Sequence, residues 1–407
     1  MSSAQERESW PYARGFQNCP ETCDPVMLKV HGKIPKWLEG VLYRTGPGTY
    51  RIPSKKNLEI MFSFDYWFDG LGQVHHFEIR NSVVTYRSRN VASSDKKYIE
   101  ENSRLRLTQI TFGQDICEIY FKSSSNNLED DPNKGNSTTL VLGTDANVLK
   151  SIDPITLEPI KNFSFKKFHL ALSGHMAPAH YQYYAETGEY FFSFVSNPGA
   201  ISEYNVFSIK TDEETGKPIT TILATIPSKL AYIHSFSMTK KYIILILWYK
   251  LCNVSKNLDS ADSKYSSDKI LNAELVFATS EDLNVELPVV DFSRYYMKKY
   301  RYVYGISHSG SSPHIVFDRL IKIDLHRTEN CSFNHTIWQQ FGCTPSEPIF
   351  VPAPSAIEED DGVITSVVLD GTKNTSFLLI LDAKSFKEIA RAEMEHGKVV
   401  SYGFHRL

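Results

Sequence analysis

The sequence predicts an all-β protein, and three observations lead there. Short runs of β character, among them "GVLYRTG", "TTLVLGT", "YFFSFV", "YNVFSI", "TTILATI", "RYVYGI", "GVITSVVLD" and "FLLILD", recur with turn residues between them. Helical patterning is sparse, and the best stretch is 95–105, "DKKYIEENSRL". A strand–turn–strand unit also repeats: "SIDPITLEPI" at 151–160 resembles "ILDAKSFKEI" at 380–389, and "SIKTDEETGK" and "KIDLHRTENC" are looser copies. Repeats of this kind fit a β-propeller; a β-sandwich array gives similar fragments.

Taken in chain order, the polar start "MSSAQERESWPYARGFQ" lacks an apolar signal core, which predicts an intracellular, cytoplasmic chain. Residues 122–137 and 253–269 are rich in Ser, Asn, Asp and Lys and read as exposed loops. The longest apolar run, "YIILILWY" at 242–249, is too short to span a bilayer. "IEEDDG" at 357–362 reads as a hairpin tip. The C-terminal "KVVSYGFHRL" follows strand-like sequence, so it predicts a chain end tied into a sheet.

The 407 residues carry a net charge of −3 and are 42% hydrophobic. These values fit a globular core and give no nucleic-acid-binding surface. The 24 Phe, 22 Tyr and 5 Trp suit a β-rich protein or an apolar ligand tunnel alike. Six cysteines, at 19, 23, 117, 252, 331 and 343, lack zinc-type spacing and are expected to be free thiols. Of 13 histidines, three stand out by context: His180 after "SGHMAPA", His234 in "KLAYIHSFSM" and His405 in "YGFHRL". An imidazole in apolar surroundings needs partners for both nitrogens. A metal with a carboxylate supplies them, and so does a backbone carbonyl.

Motifs over almost the whole length resemble the carotenoid cleavage oxygenase family. They are "LEGVLYRTGPGTY", "FDYWFDGLGQVHHFEI", "TFGQDIC", "TDANVLKSIDPITLEP", "GHMAPAH", "AYIHSF", "KKYRYVYG", "TPSEPIFVPAPSAIEEDDGVITSVVLD" and "YGFHRL", in the family's order. The family includes carotenoid-cleaving and stilbene-cleaving enzymes and a retinoid isomerohydrolase. The resemblance implies a single domain over 1–407: a seven-bladed β-propeller with a helical or loop cap, about 95–125. It implies one Fe(II) held by histidines that second-shell carboxylates orient. Matched motif by motif, His180, His234 and His405 stand as iron ligands, and Asp145, Glu286 and Glu347 as the orienting carboxylates. His75 and His76 lie in a different motif and read as structural. The implied reaction is cleavage of a conjugated C=C bond of a lipophilic polyene, a carotenoid or apocarotenoid, with O2 to give aldehyde or ketone products. Stilbene cleavage, retinoid-type isomerohydrolysis and an inactive shortened variant are the alternatives. Contact of the 95–125 segment with a membrane is expected from its mixture of basic and apolar residues.

The sequence departs from the family in one place. The remaining histidine of the family's iron site falls in a Phe-His-x-x-Asn-x-aromatic-Glu motif between "AYIHSF" and "KKYRYVYG". No histidine lies between His234 and Glu286. The chain is short there, and the polar segment 253–269 occupies the place. One blade is therefore expected to be incomplete, and oxygenase activity to be low.

Overall fold

The recurring unit is a hairpin closed by an aspartate. Asp153, Asp212 and Asp382 each end a strand, and each backbone N–H donates to the carbonyl five residues on, at 2.9, 2.8 and 2.9 Å. Asp153 Oδ1 accepts the N–H groups of Ile155 and Thr156 at 2.9 and 2.7 Å. Asp212 and Asp382 accept from the N–H and hydroxyl of Thr215 and Ser385 in the same way. Leu157 and Phe386 hold φ of 61° and 57° at the fifth position. Both side chains are buried, and that packing offsets the left-handed strain. The repeat found in the sequence is thus one physical device, an Asx turn.

The computed structural model describes residues 11–64, 69–105, 118–124, 138–174, 176–177, 180–184, 186–196, 202–212, 214–215, 217–229, 233, 235–245, 285–310, 317–327, 333–403 and 405–406. Among them the strands form five antiparallel sheets of four to six strands, the blades of a propeller. The first blade orders β1 (Thr22–Met27), β7 (Val83–Asn90), β6 (Leu71–Arg80), β3 (Gly40–Thr49) and β27 (His405–Arg406). The second runs from β8 (Glu118–Ser124) through β9 (Thr138–Gly143) and β10 (Leu149–Ile152) to β11 (Pro159–Phe163). The third comprises β12 (Gln182–Tyr184), β13 (Glu189–Ser196), β14 (Ser202–Thr211) and β15 (Pro218–Ser228). A two-stranded sheet follows, β16 (Ser237–Met238) with β17 (Ile243–Ile244). The fourth blade is β18 (Glu286–Val289), β19 (Tyr302–Ser307), β20 (Arg319–Arg327) and β21 (Phe333–Gln339). The fifth joins β22 (Cys343–Pro345) and β23 (Ile349–Pro352) to β24 (Gly362–Asp370), then β25 (Thr375–Asp382), β26 (Glu388–Glu393) and β2 (Lys29–Gly32). A small hairpin, β4 (Arg51–Pro53) with β5 (Met61–Ser63), stands apart.

Neighbouring blades share apolar cores. Phe77 and Tyr86 of the first blade pack with Leu378 and Ile380 of the fifth. Tyr304 and Leu320 of the fourth meet Ile364 and Leu379 of the fifth. Tyr43 and Val74 join the first blade to Leu140 and Ile152 of the second, and Leu149 joins the second to Phe192 and Phe207 of the third. The circle is closed twice: β2 pairs with β26 of the last blade, and β27 pairs with β3 of the first. His405 stands opposite Thr45, so the expected tied-down chain end is present. Gly403 makes that approach possible, because a Cβ there would lie 2.2 Å from the Thr45 carbonyl oxygen. Glycine is required for that contact.

The hairpin tip expected at 357–362 joins β23 to β24, with Asp361 accepting the N–H groups of Ile357 and Glu358. The expected helix occurs as α1 (Ser93–Asn102), seated by buried Ile99 against Ile52 and Leu71. Of the rest of the cap anticipated over about 95–125, 106–117 lies outside the described residues, as does the 253–269 loop, and 118–124 forms β8 of the second blade instead. No helix among the described residues is long and apolar enough to cross a membrane. Cys19 and Cys343 are buried free thiols and Cys23 an exposed one. Burial pushes the Cys19 thiol up to about 11.

Candidate functional site

The blade-edge strands β12, β16, β18, β23 and β27 carry the predicted site residues or directly adjoin them. His180 immediately precedes the extended chain leading into β12. Glu347 sits between β22 and β23, its backbone fixed by Ser346. The Ser346 N–H and hydroxyl both donate to Val367 O, at 2.9 and 2.7 Å, and Ser346 O accepts the Ser366 hydroxyl at 2.7 Å. Although far apart in sequence, His180 and Glu347 line one cleft of about 800 Å³. Ser235, the neighbour of His234, lines it too. The rest of the lining mixes aromatic residues, among them Tyr181, Phe236 and Phe292, with the charged Glu186, Arg294 and Lys298.

Asp145 is buried in the turn after β9. Its carbonyl accepts the Ala177 N–H at 3.1 Å, and an Ala146–Met176 bridge stitches this turn to the segment that leads into His180. Glu286 opens β18 on an exposed position, while the next two residues, Leu287 and Pro288, line the cleft. His234 and the side chain of His405 lie outside the described residues. Among the described residues, no group of three or more His, Cys, Asp and Glu is placed to hold a metal ion.

His75 and His76 are structural, as expected. His75 is buried with Nδ1 2.8 Å from the Tyr86 hydroxyl, and burial, with a lesser effect of Arg44, lowers its pKa to about 3. His76 packs edge-on against Tyr43.

Two cleft residues were not evident from sequence. Gln182, two positions after His180, donates through Nε2 to Phe236 O at 2.8 Å. Tyr296 donates its hydroxyl to Gln182 Oε1. Burial pushes the Tyr296 phenol up to about 12, so it keeps its proton at neutral pH. Tyr296 is held in turn by the hairpin tip. It follows a one-turn helix, Phe292–Tyr295, whose Arg294 bonds the carbonyls of Ala356, Glu358 and Glu359. The only sequence signal for either residue is proximity to a matched motif. At the cleft rim, Tyr184 donates to Glu186, and Lys240 pairs with Glu186 at 3.1 Å.

Fold and cleft together define a propeller protein with a histidine–carboxylate cleft at its blade edges. Comparison with known proteins extends this. The chain matches the family model described as "Retinal pigment epithelial membrane protein" (RPE65) over residues 16–277 and 257–406, and it belongs to that family. By family it is an enzyme of the carotenoid-dioxygenase type. It is 27% identical to a carotenoid dioxygenase of Neurospora crassa, covering 98% of this chain and 91% of that protein. It is 25% identical to a torulene dioxygenase of Gibberella fujikuroi, covering 99% and 94%. Among solved structures, an ACO/RPE65 chimera superposes with a TM-score of 0.69 at 19% identity, covering 97% of this chain and 98% of that one. Cobalt-substituted Synechocystis ACO gives a TM-score of 0.66 at 19% identity, covering 98% of each chain. The Neurospora alignment is 573 positions long and this chain has 407 residues, so many positions of that relative have no counterpart here.

Proposed function

We propose that this chain is a non-haem Fe(II) oxygenase that cleaves a conjugated C=C bond of a carotenoid or apocarotenoid with O2, releasing aldehyde or ketone products. The observation that carries the reading is the meeting of His180 and Glu347 in one aromatic-walled cleft, at two positions matched to the family's motifs. The donor chemistry there fits Fe(II): neutral imidazole nitrogen bound to the metal, with carboxylate accepting the other ring proton. His180, His234 and His405 would hold the ion, and Asp145, Glu286 and Glu347 would orient them. Bound Fe(II) supplies the electrons that make O2 reactive toward an alkene. The protein's own part is to bind and orient. Tyr181, Phe236 and Phe292 offer faces for an apolar polyene and displace water, and no side chain is needed as acid or base.

A second reading concerns how much activity this form has. The two family matches meet at 257–277, where the expected fourth histidine is missing, and β16–β17 is a sheet of only two strands among the described residues. The full family toroid would have seven blades, with β16–β17 the remnant of one; three histidines and a thin wall would then give low turnover. The substrate would arrive from a membrane surface, with 95–125 as the contact segment, and liposome flotation tests that arm.

The decisive assay incubates purified protein with Fe(II), 18O2 and a panel of carotenoids, apocarotenals and stilbenes. Labelled aldehyde supports the oxygenase, an isomerised alcohol without O2 uptake supports isomerohydrolysis, and the panel member consumed names the substrate. Low turnover that rises when a histidine-bearing strand is restored supports the shortened-variant reading. Full turnover without restoration removes it.

A further inference from the structure

We propose that Gln182 and Tyr296 are positioning residues for the metal site, setting the separation between the chain segments that carry His180 and His234. The inference rests on the iron-site reading above and deepens it. Gln182 is two residues past His180, and Phe236 is two residues past His234. The bond from Gln182 Nε2 to Phe236 O therefore ties the two segments together at 2.8 Å. β12 and β16 belong to different sheets, so no ladder sets their spacing. An unrestrained amide could rotate and present its oxygen to Phe236 O, which would repel. Phe236 O can only accept, so it takes Nε2, and the Tyr296 hydroxyl donates to the remaining Oε1 and holds the side chain in that position.

Tyr296 can hold the amide because it is itself held. Asp291 caps its one-turn helix by accepting the N–H groups of Ser293 and Arg294, and Arg294 reaches three carbonyls of the 353–361 tip. Glu359 of that tip accepts the N–H groups of Arg301 and Tyr302 at 2.8 Å, and Asp360 pairs with buried Lys322. The acidic tip thus anchors a relay from the fifth blade to the fourth, and from there to Gln182 in the third. Its end point is the geometry of two proposed ligand segments, and a misplaced donor weakens metal binding as loss of an outer partner does.

The test measures Co(II) affinity and visible absorption of the full chain, with Fe(II) competition against a chelator. Gln182→Met keeps the length and removes both bonds; Tyr296→Phe removes one and frees the amide. Tyr43→Phe serves as comparator, since its hydroxyl also ties two blades, donating to Pro154 O at 2.9 Å, away from the cleft. The expected result is a Co(II) Kd raised about 10–100-fold in Gln182→Met, less in Tyr296→Phe, with altered Co(II) bands in both. Tyr43→Phe should lower the melting temperature and leave affinity and bands unchanged. Unchanged affinity and bands in Tyr296→Phe overturn the proposal, even if Gln182→Met does not fold. A wild-type chain that binds neither metal overturns the iron reading itself, a different and recognisable failure.

Discussion

The wall between the fifth and first blades and the opening between the third and fourth are built in opposite ways. At the first, β24 and β25 are buried over nearly their whole length, and Phe77, Tyr86, Leu378 and Ile380 form a continuous apolar core. Two chain ends lock the wall, β2 on one blade and β27 on the other. At the second, no cluster of buried apolar residues spans the third and fourth blades among the described residues. β15, at the edge of the third blade opposite β12, is largely exposed, with Ile219, Leu223 and Ile226 facing water. What crosses the opening is polar, the bonds of Gln182 to Tyr296 and to Phe236. Apolar burial holds the ring together, and hydrogen bonds aim the cleft.

Substitutions on the two sides should differ accordingly. Leu378 of the fifth–first core has 0% exposure, and Leu378→Ala is expected to cost about 2–5 kcal/mol in chemical denaturation. Gly403→Ala pushes a methyl against the Thr45 carbonyl and should cost about 1–3 kcal/mol while loosening β27. Hydrogen exchange at Thr45 and Arg44 reports that loosening. A further effect depends on pH. His75 titrates near 3 when folded and near its ordinary value of 6.5 when unfolded. Between those values the unfolded chain binds the extra proton, so stability falls as pH drops from about 6.5 towards 3 and is fully present above that window. His75→Gln should reduce the slope of stability against pH there by one proton's worth. On the exposed edge strand β15, Leu223 is 48% exposed, and Leu223→Ala should stay within about 0.5 kcal/mol. A cost matching that of Leu378→Ala would erase the contrast between the packed wall and the exposed strand.

The sequence carried the features that are local. The Asp153 and Asp382 turns were legible because an Asx turn needs only an aspartate and a Ser or Thr three residues on. The 357–362 tip and the strand character of the chain end were legible for similar reasons, and α1 was found within two or three residues of its bounds. Pairing of distant elements was not. Nothing local marks Gln182 as a partner of Tyr296, since that bond joins residues 114 positions apart. Nor does composition distinguish Glu347, in the cleft, from Glu286, exposed at a strand start. Motif resemblance gave both the same expected role. Seven blades were expected and five are formed among the described residues, with 246–284 outside them.

The central claim is that the cleft at the open side is an iron site. Iron content after anaerobic Fe(II) loading and gel filtration tests it most directly, in wild type and in His180→Ala. The account predicts iron retained by the wild-type chain and lost from His180→Ala, with the melting temperature of the apo proteins nearly equal. Equal iron in both chains, or none in either, would contradict it.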